Sequence, residues 1–239
     1  MNSKMGLERC QAFINCQAHT ASTERNGEKR LAVTISRQTG SGGHAVAERL
    51  AEYLQAAFPK DACPWTVFDR NLVEAVLEHH HLPGRLAKFM AEDRISEIAD
   101  TMDELFGLHP PSWTMVRQTA DTILHLAQLG NVILLGRGAN IITARLGYVF
   151  HARLVGSLAR RIERVEVASK LSPKAARAFI ESEDRGRRRY LKKYFGQDID
   201  DPLLYHMVIN TDLVSYEQAA RMIGNAMLGS HQPLTTVRA

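Results

Sequence analysis

Residues 31–50 read LAVTISRQTGSGGHAVAERL. The stretch opens with an apolar, β-branched run, Leu31 to Ile35, and enters a turn of small residues, Thr39, Gly40, Ser41, Gly42 and Gly43. A helical pattern follows, with Ala45, Val46, Leu50 and Leu54 on one side and Glu48, Arg49 and Glu52 on the other. Strand, glycine turn and helix together form a wrap for a phosphate. Glycines let the backbone approach an anion and take positive φ, and the unbonded N–H groups of a helix start point at it. The phosphate-loop pattern is G-x-x-x-x-G-K-[ST]. Here Gly43 stands at the lysine and His44 at the hydroxyl. Five small residues in a row exceed what a turn requires, and close approach to a ligand accounts for the excess.

Outward from this stretch, strands alternate with helices. Strand one is expected at 31–36 and helix one from Gly43 to about Ala57. WTVF (65–68) is a short β-type run followed by Asp69 and Arg70. Helical patterns cover 71–79, 85–106 and Trp113 to Leu129, the last with Met115, Ile123, Leu126 and Leu129 as core candidates. NVILL (131–135) is wholly apolar, as in the buried centre of a parallel sheet. YVFHARLV (148–155) is the next strand, Ser157 to Ser169 a basic helix, and Ser172-Pro173 the start of another. Leu204 to Asn210 is the last strand, with a helix from Ser215. The order predicts an α/β fold with a doubly wound, five-stranded parallel sheet. Residues 1–29 read as an extension outside the core, frayed or weakly helical, and 231–239 as a tail. His79, His80 and His81 are consecutive, cannot share one helix face, and suit a solvated helix end.

The chain has 239 residues and a net charge of +4, enough for one domain with a buried core. The charge is uneven: His151 to Phe195 carries 13 Lys/Arg against 5 Asp/Glu. That segment calls for a polyanionic partner, nucleotide phosphates or nucleic acid. Cys10, Cys16 and Cys63 show no CxxC spacing, so neither a disulfide framework nor a zinc site is expected, and the pattern suits a reducing cytoplasm. No apolar run reaches the roughly 18 residues that span a bilayer, and no signal-peptide core is visible. These features predict a soluble cytoplasmic protein with no membrane partner.

Losing the loop lysine removes one charge aimed at the phosphates, worth several kcal/mol of barrier unless it is replaced. Arg37, leaving strand one just before the loop, and His44, opening the helix, are the nearby replacements. Arg37 is favoured because a guanidinium is always charged and grips phosphate bidentately. Thr39 or Ser41 could offer an oxygen toward magnesium, with Ser41 the candidate. Asp69 is suited either to a ligand at the strand end or to an N-cap. Arg137 sits between two glycines after a buried strand and has no packing reason to be there. Arg185, Arg188 and Arg189 share one helix face, which suits convergence on a polyphosphate. Tyr190, Tyr194 and Phe195 read as packing groups, and Arg153 and Asp212 as borders of the base or the metal.

Taken together, the glycine loop, FDR after strand two, GRGAN after strand three, EDRGRRRYLKKYFG and YHMVINTD resemble the cytidylate-kinase-like family of P-loop proteins, over about residues 31–226. The resemblance implies a P-loop NTPase three-layer fold with helices on both sheet faces and a helical lid. It implies a domain over 30–230, an acceptor-binding helical region at about 71–128 and a basic lid at about 157–200. It implies ATP and Mg²⁺ as cofactors, nucleotides as partners, and phosphoryl transfer to CMP or another small acceptor. By the same resemblance residues 39–44 would hold the ATP phosphates, Asp69, Arg70, Arg137 and Asp184 the acceptor, and Arg37, Arg185, Arg188 and Arg189 the transferring group. Two other readings stay open: a nucleotide-binding regulator without turnover, favoured by the missing lysine, and a nucleic-acid surface over 153–193.

Overall fold

The computed structural model describes residues 12, 13, 15–17, 31–58, 63–69 and 114–230. Five strands form one sheet: β1 (Ala32–Arg37), β2 (Thr66–Phe68), β3 (Val132–Leu135), β4 (Val149–Val155) and β5 (Met207–Asn210). Every pairing is parallel, and the spatial order is β2-β3-β1-β4-β5. The helices are α1 (Gly43–Ala57), α2 (Thr114–Leu129), the short α3 (Ala139–Ile142), α4 (Leu158–Ser169), α5 (Pro173–Phe195) and α6 (Tyr216–Ser230). The expected α1 matches to the residue, and the strand ends differ by one or two positions except in β5. There the expected strand gives up Leu204 to a 3₁₀ turn that begins at Pro202.

The central strands are buried on both faces, and alternate side chains feed two cores. Val33, Ile35, Ile133, Leu135, Phe150, Ala152 and Leu154 pack against α1 and α6. Ala32, Phe68, Val132, Leu134 and Val149 pack against α2 and α3, with Tyr190, Tyr194 and Phe195 of α5 added at the edge. The three layers are therefore helix, sheet, helix, and α4 and α5 form an arm with its own small core of Val165, Ala176 and Ile180. The cap expected at Ser172 is present, its Oγ accepting from Ala175 N–H, and Ser157 Oγ likewise accepts from Arg160 N–H at the start of α4.

Three expectations are corrected. Met115 is 75% exposed, because the phase of α2 turns its neighbour Val116, with Ala120 and Ile123, into the core instead. The N-terminal extension is not wholly outside the core: Phe13 is fully buried and meets Phe68 edge-on at 5.3 Å. Cys16 and Cys63 are joined as a disulfide, with Cα atoms 5.6 Å apart, which fastens the extension to the approach to β2. The expected helices over 71–106 and the three histidines lie outside the described residues.

Candidate functional site

The site lies at the carboxyl ends of β1, β3 and β4, where the strand order turns from β1 toward both neighbours and where open parallel sheets bind ligands. The loop from Gln38 to Gly42 connects β1 to α1. Gly42 is the N-cap at φ 83°, and no side chain caps the helix, so its first N–H groups are directed outward without a side-chain acceptor. A Cβ on Gly42 would run into the Tyr216 ring of α6, and one on Gly40 would lie 2.7 Å from the Arg161 carbonyl of α4. Packing on α4 and α6 thus by itself requires glycine at 40 and 42.

Thr39 and Ser41 are committed to internal bonds. The Thr39 N–H and hydroxyl each donate to Asp184 Oδ1 at 2.8 Å. The Ser41 hydroxyl, fully buried, donates to the Gln38 carbonyl at 2.8 Å. A hydroxyl held inward and away from solvent does not suit a metal ligand, so the magnesium role considered for Ser41 is withdrawn. His44 is exposed and stands 3.4 Å from the Asp69 carboxylate. Arg70 lies outside the described residues.

Arg37 leaves β1 and runs across the start of α1 to the loop after β3. Burial, reinforced by the charge of Arg187, lowers its pKa to about 10, which leaves it protonated at neutral pH. Asp69 and Glu183 oppose that shift and Arg137 adds to it. Arg137 adopts φ 56° between Gly136 and Gly138, which also have positive φ. A non-glycine residue held in that region costs of order 1 kcal/mol and is overdetermined by its surroundings. Here the Gly136 N–H is tied to the Ile35 carbonyl of β1.

Arg37, Arg137 and Arg187 line one cleft of about 290 Å³, together with Glu183, Tyr190 and Asn140. Burial raises the Tyr190 phenol above its ordinary value, so it remains a hydrogen-bond donor. Arg187 was not singled out in the sequence, whereas Arg185 and Arg189 were. The structure leaves Arg185 and Arg189 exposed and off this cleft. Arg188 is 55% exposed and donates to Asp200 at 2.9 Å. The signal that would have found Arg187 is helical phase: Ile180 and Leu191 are buried, and Asp184 and Arg187 lie between them at helical spacing.

Asp184 does not face the cleft as an open acceptor contact. Its carboxylate also receives Arg161 Nη1 at 2.6 Å and Arg187 Nη1 at 2.9 Å, so four donors converge on it. Arg153 is buried, donating to Ser36 Oγ at 2.9 Å and pairing with Asp200. Asp212 accepts from Ser157 N–H at 2.7 Å and pairs with Arg164 at 3.0 Å. Both hold the arm to the sheet. Among the described residues no group of three His, Cys, Asp or Glu is placed to hold a metal ion, and no helix is long and apolar enough to cross a membrane.

A 2-3-1-4-5 parallel sheet, a glycine loop leading into an uncapped helix and a basic helical arm define a P-loop protein of the kinase type. The chain belongs to the cytidylate kinase-like family, whose model matches residues 32–213. Among solved structures it is similar to an uncharacterized protein from Eubacterium ventriosum ATCC 27560, at 22% identity and a TM-score of 0.65, over 84% of this chain and 99% of that one. Shikimate kinases from Bacteroides thetaiotaomicron (13% identity, TM-score 0.41, 83% and 98% covered) and Acinetobacter baumannii (15%, 0.41, 85% and 96%) also match. No curated protein matches the chain significantly.

Proposed function

We propose that the protein is an ATP- and Mg²⁺-dependent phosphotransferase that moves the γ-phosphoryl group to CMP or another small acceptor. Family membership supports the class of activity. The observation that carries the reading is the convergence of Arg37, Arg137 and Arg187 on one cleft at the ends of β1 and β3. The charges of Arg187 and Arg137 both bear down on the buried Arg37 guanidinium, so the cleft gains by taking up negative charge. Phosphoryl transfer needs little beyond positioning and such charge stabilisation.

The N–H groups opening α1 fit an anion. A magnesium ion would arrive with the nucleotide phosphates, as that ion commonly does, and Asp69 is the carboxylate beside the loop's helix. On this reading Arg137 and Arg187 orient the acceptor, Arg37 supplies the charge that the loop lacks, and the arm over 157–200 serves as the lid.

The test is to incubate the full chain with ATP and Mg²⁺ against a panel of nucleoside monophosphates and small hydroxyl compounds, following ADP. Release of ADP that depends on one acceptor is expected. ATP binding without turnover on any acceptor would refute the enzyme and favour a nucleotide-binding regulator. One observation leans that way: the Thr39 N–H and hydroxyl are held by Asp184 rather than left for a ligand.

A further inference from the structure

We propose that Arg37 and Gly43 are the two halves of one exchange, in which the cation of the phosphate loop enters from the loop's first position instead of its seventh. The inference rests on the phosphotransferase reading and specifies how its loop is built. In G-x-x-x-x-G-K-[ST] the first glycine and the lysine are six residues apart. With Gly43 at the lysine, the first glycine falls on residue 37. This chain has arginine where the pattern has glycine, and glycine where it has lysine.

The geometry makes the two substitutions interdependent. A Cβ on Gly43 would stand 2.9 Å from Arg37 Cγ and 3.4 Å from its Cβ and Cδ. The stem of Arg37 therefore occupies the space through which a side chain at 43 would leave. Stem carbons next to the backbone cannot swing aside as a side-chain tip can. Further along, the guanidinium lies against Gly136, where an added Cβ would stand 3.1 Å from Cζ and still closer to Nη1. Gly43 and Gly136 are thus positioning residues: together they form a trough that carries Arg37 from β1 across the start of α1 into the cleft. Arg187 and Arg137 face the guanidinium with like charge, and Asp69 and Glu183 with opposite charge. A charge delivered here lies between the loop and the segment bearing Arg137. It can thereby serve donor and acceptor phosphates together.

A plain structural role for Arg37, filling the cleft and pairing with Asp69 and Glu183, predicts something different. In that case a lysine at 43 would restore the consensus charge and tighten nucleotide binding.

The test is calorimetric binding of ATP with Mg²⁺ to the full chain and four variants, with folding checked by circular dichroism. Arg37→Ala is expected to weaken binding about 10- to 100-fold, the worth of a charge-assisted hydrogen bond. Gly43→Lys is expected to weaken it as well, despite recreating the consensus. Arg37→Gly/Gly43→Lys is expected to recover most of the loss, giving strong non-additivity. Gly43→Ala adds a single methyl where alanine suits a helix, so it folds even if the lysine variant does not, and it too is expected to weaken binding.

Gly43→Ala or Gly43→Lys binding ATP as tightly as the wild type would overturn the exchange and leave the phosphotransferase reading standing. So would a double variant no better than its singles. A wild type that binds no ATP would end both.

Discussion

Asp184→Asn separates two roles for the carboxylate that joins the loop to α5. As a substrate group it would be dispensable for stability. As a clasp it is not. Asp184 and Arg161 are 12% and 9% exposed, and their contact is 2.6 Å. The same carboxylate holds Thr39 twice at 2.8 Å and Arg187 at 2.9 Å. Removing its charge leaves the Arg161 guanidinium buried without its counter-ion. Breaking one side of a buried pair costs about 3–5 kcal/mol. Asparagine keeps one acceptor oxygen, and Arg161 keeps the Gly156 and Thr39 carbonyls, so the lower end, about 3 kcal/mol, applies. For a domain of this size each kcal/mol lowers Tm by about 2–4 °C, which gives a drop of roughly 6–12 °C. Thermal unfolding followed by circular dichroism reads this directly. A Tm within about 2 °C of wild type, with a raised KM for the acceptor, would refute the clasp and return Asp184 to the acceptor site.

Arg187→Ala should weaken nucleotide or acceptor binding about tenfold or more, because a charged donor lining the cleft is lost. Arg185→Ala, on the exposed side of the same helix, should stay near wild type in ADP release; equal losses in both would refute the placement of the arm. Acid should destabilise the fold through His151, which is buried beside His206 and bonded to Thr34 Oγ1 at 2.9 Å. Burial, reinforced by His206, lowers its pKa to about 3 from 6.5. Between those values the unfolded chain binds a proton that the native state does not, so stability is full above 6.5 and falls as pH drops toward 3. At pH 5 the loss is about 2 kcal/mol relative to neutral. Denaturant midpoints measured from pH 4 to 7 should show that slope for the wild type and a flatter one for His151→Gln.

How much of this could be read from the sequence depended on distance along the chain. The β1–loop–α1 unit was legible because its signals are local: a β-branched run, then glycines, then helical spacing. Helix α5 was legible as a helix, but its inward face was misjudged. Arg185, Arg188 and Arg189 do share a face. The phase is set instead by buried Ile180 and Leu191, which bring Asp184 and Arg187 inward. Phe13 on Phe68 and Cys16 on Cys63 join segments that no local pattern relates. The loop glycines were legible, yet the residues that a side chain at Gly40 or Gly42 would meet, Arg161 and Tyr216, lie far along the chain.

Charge density misleads for a related reason. The segment from His151 to Phe195 carries 13 basic residues against 5 acidic ones, which by itself suits nucleic acid. Yet Arg153 and Arg188 meet Asp200, and Arg164 meets Asp212, and both carboxylates lie just beyond that window. Arg161 and Arg187 share Asp184 inside it. A linear count registers the cations and misses their partners, so much of the apparent surface charge is internal pairing that holds the arm to the sheet. The cations that line the cleft come from three separate segments, at 37, 137 and 187. Residues 37 and 137 meet because β1 and β3 are hydrogen-bonded neighbours although β2 lies between them in sequence. Alternating strands and helices imply a parallel sheet without fixing that order. The order of the strands, more than the number of arginines, assembles the basic cleft.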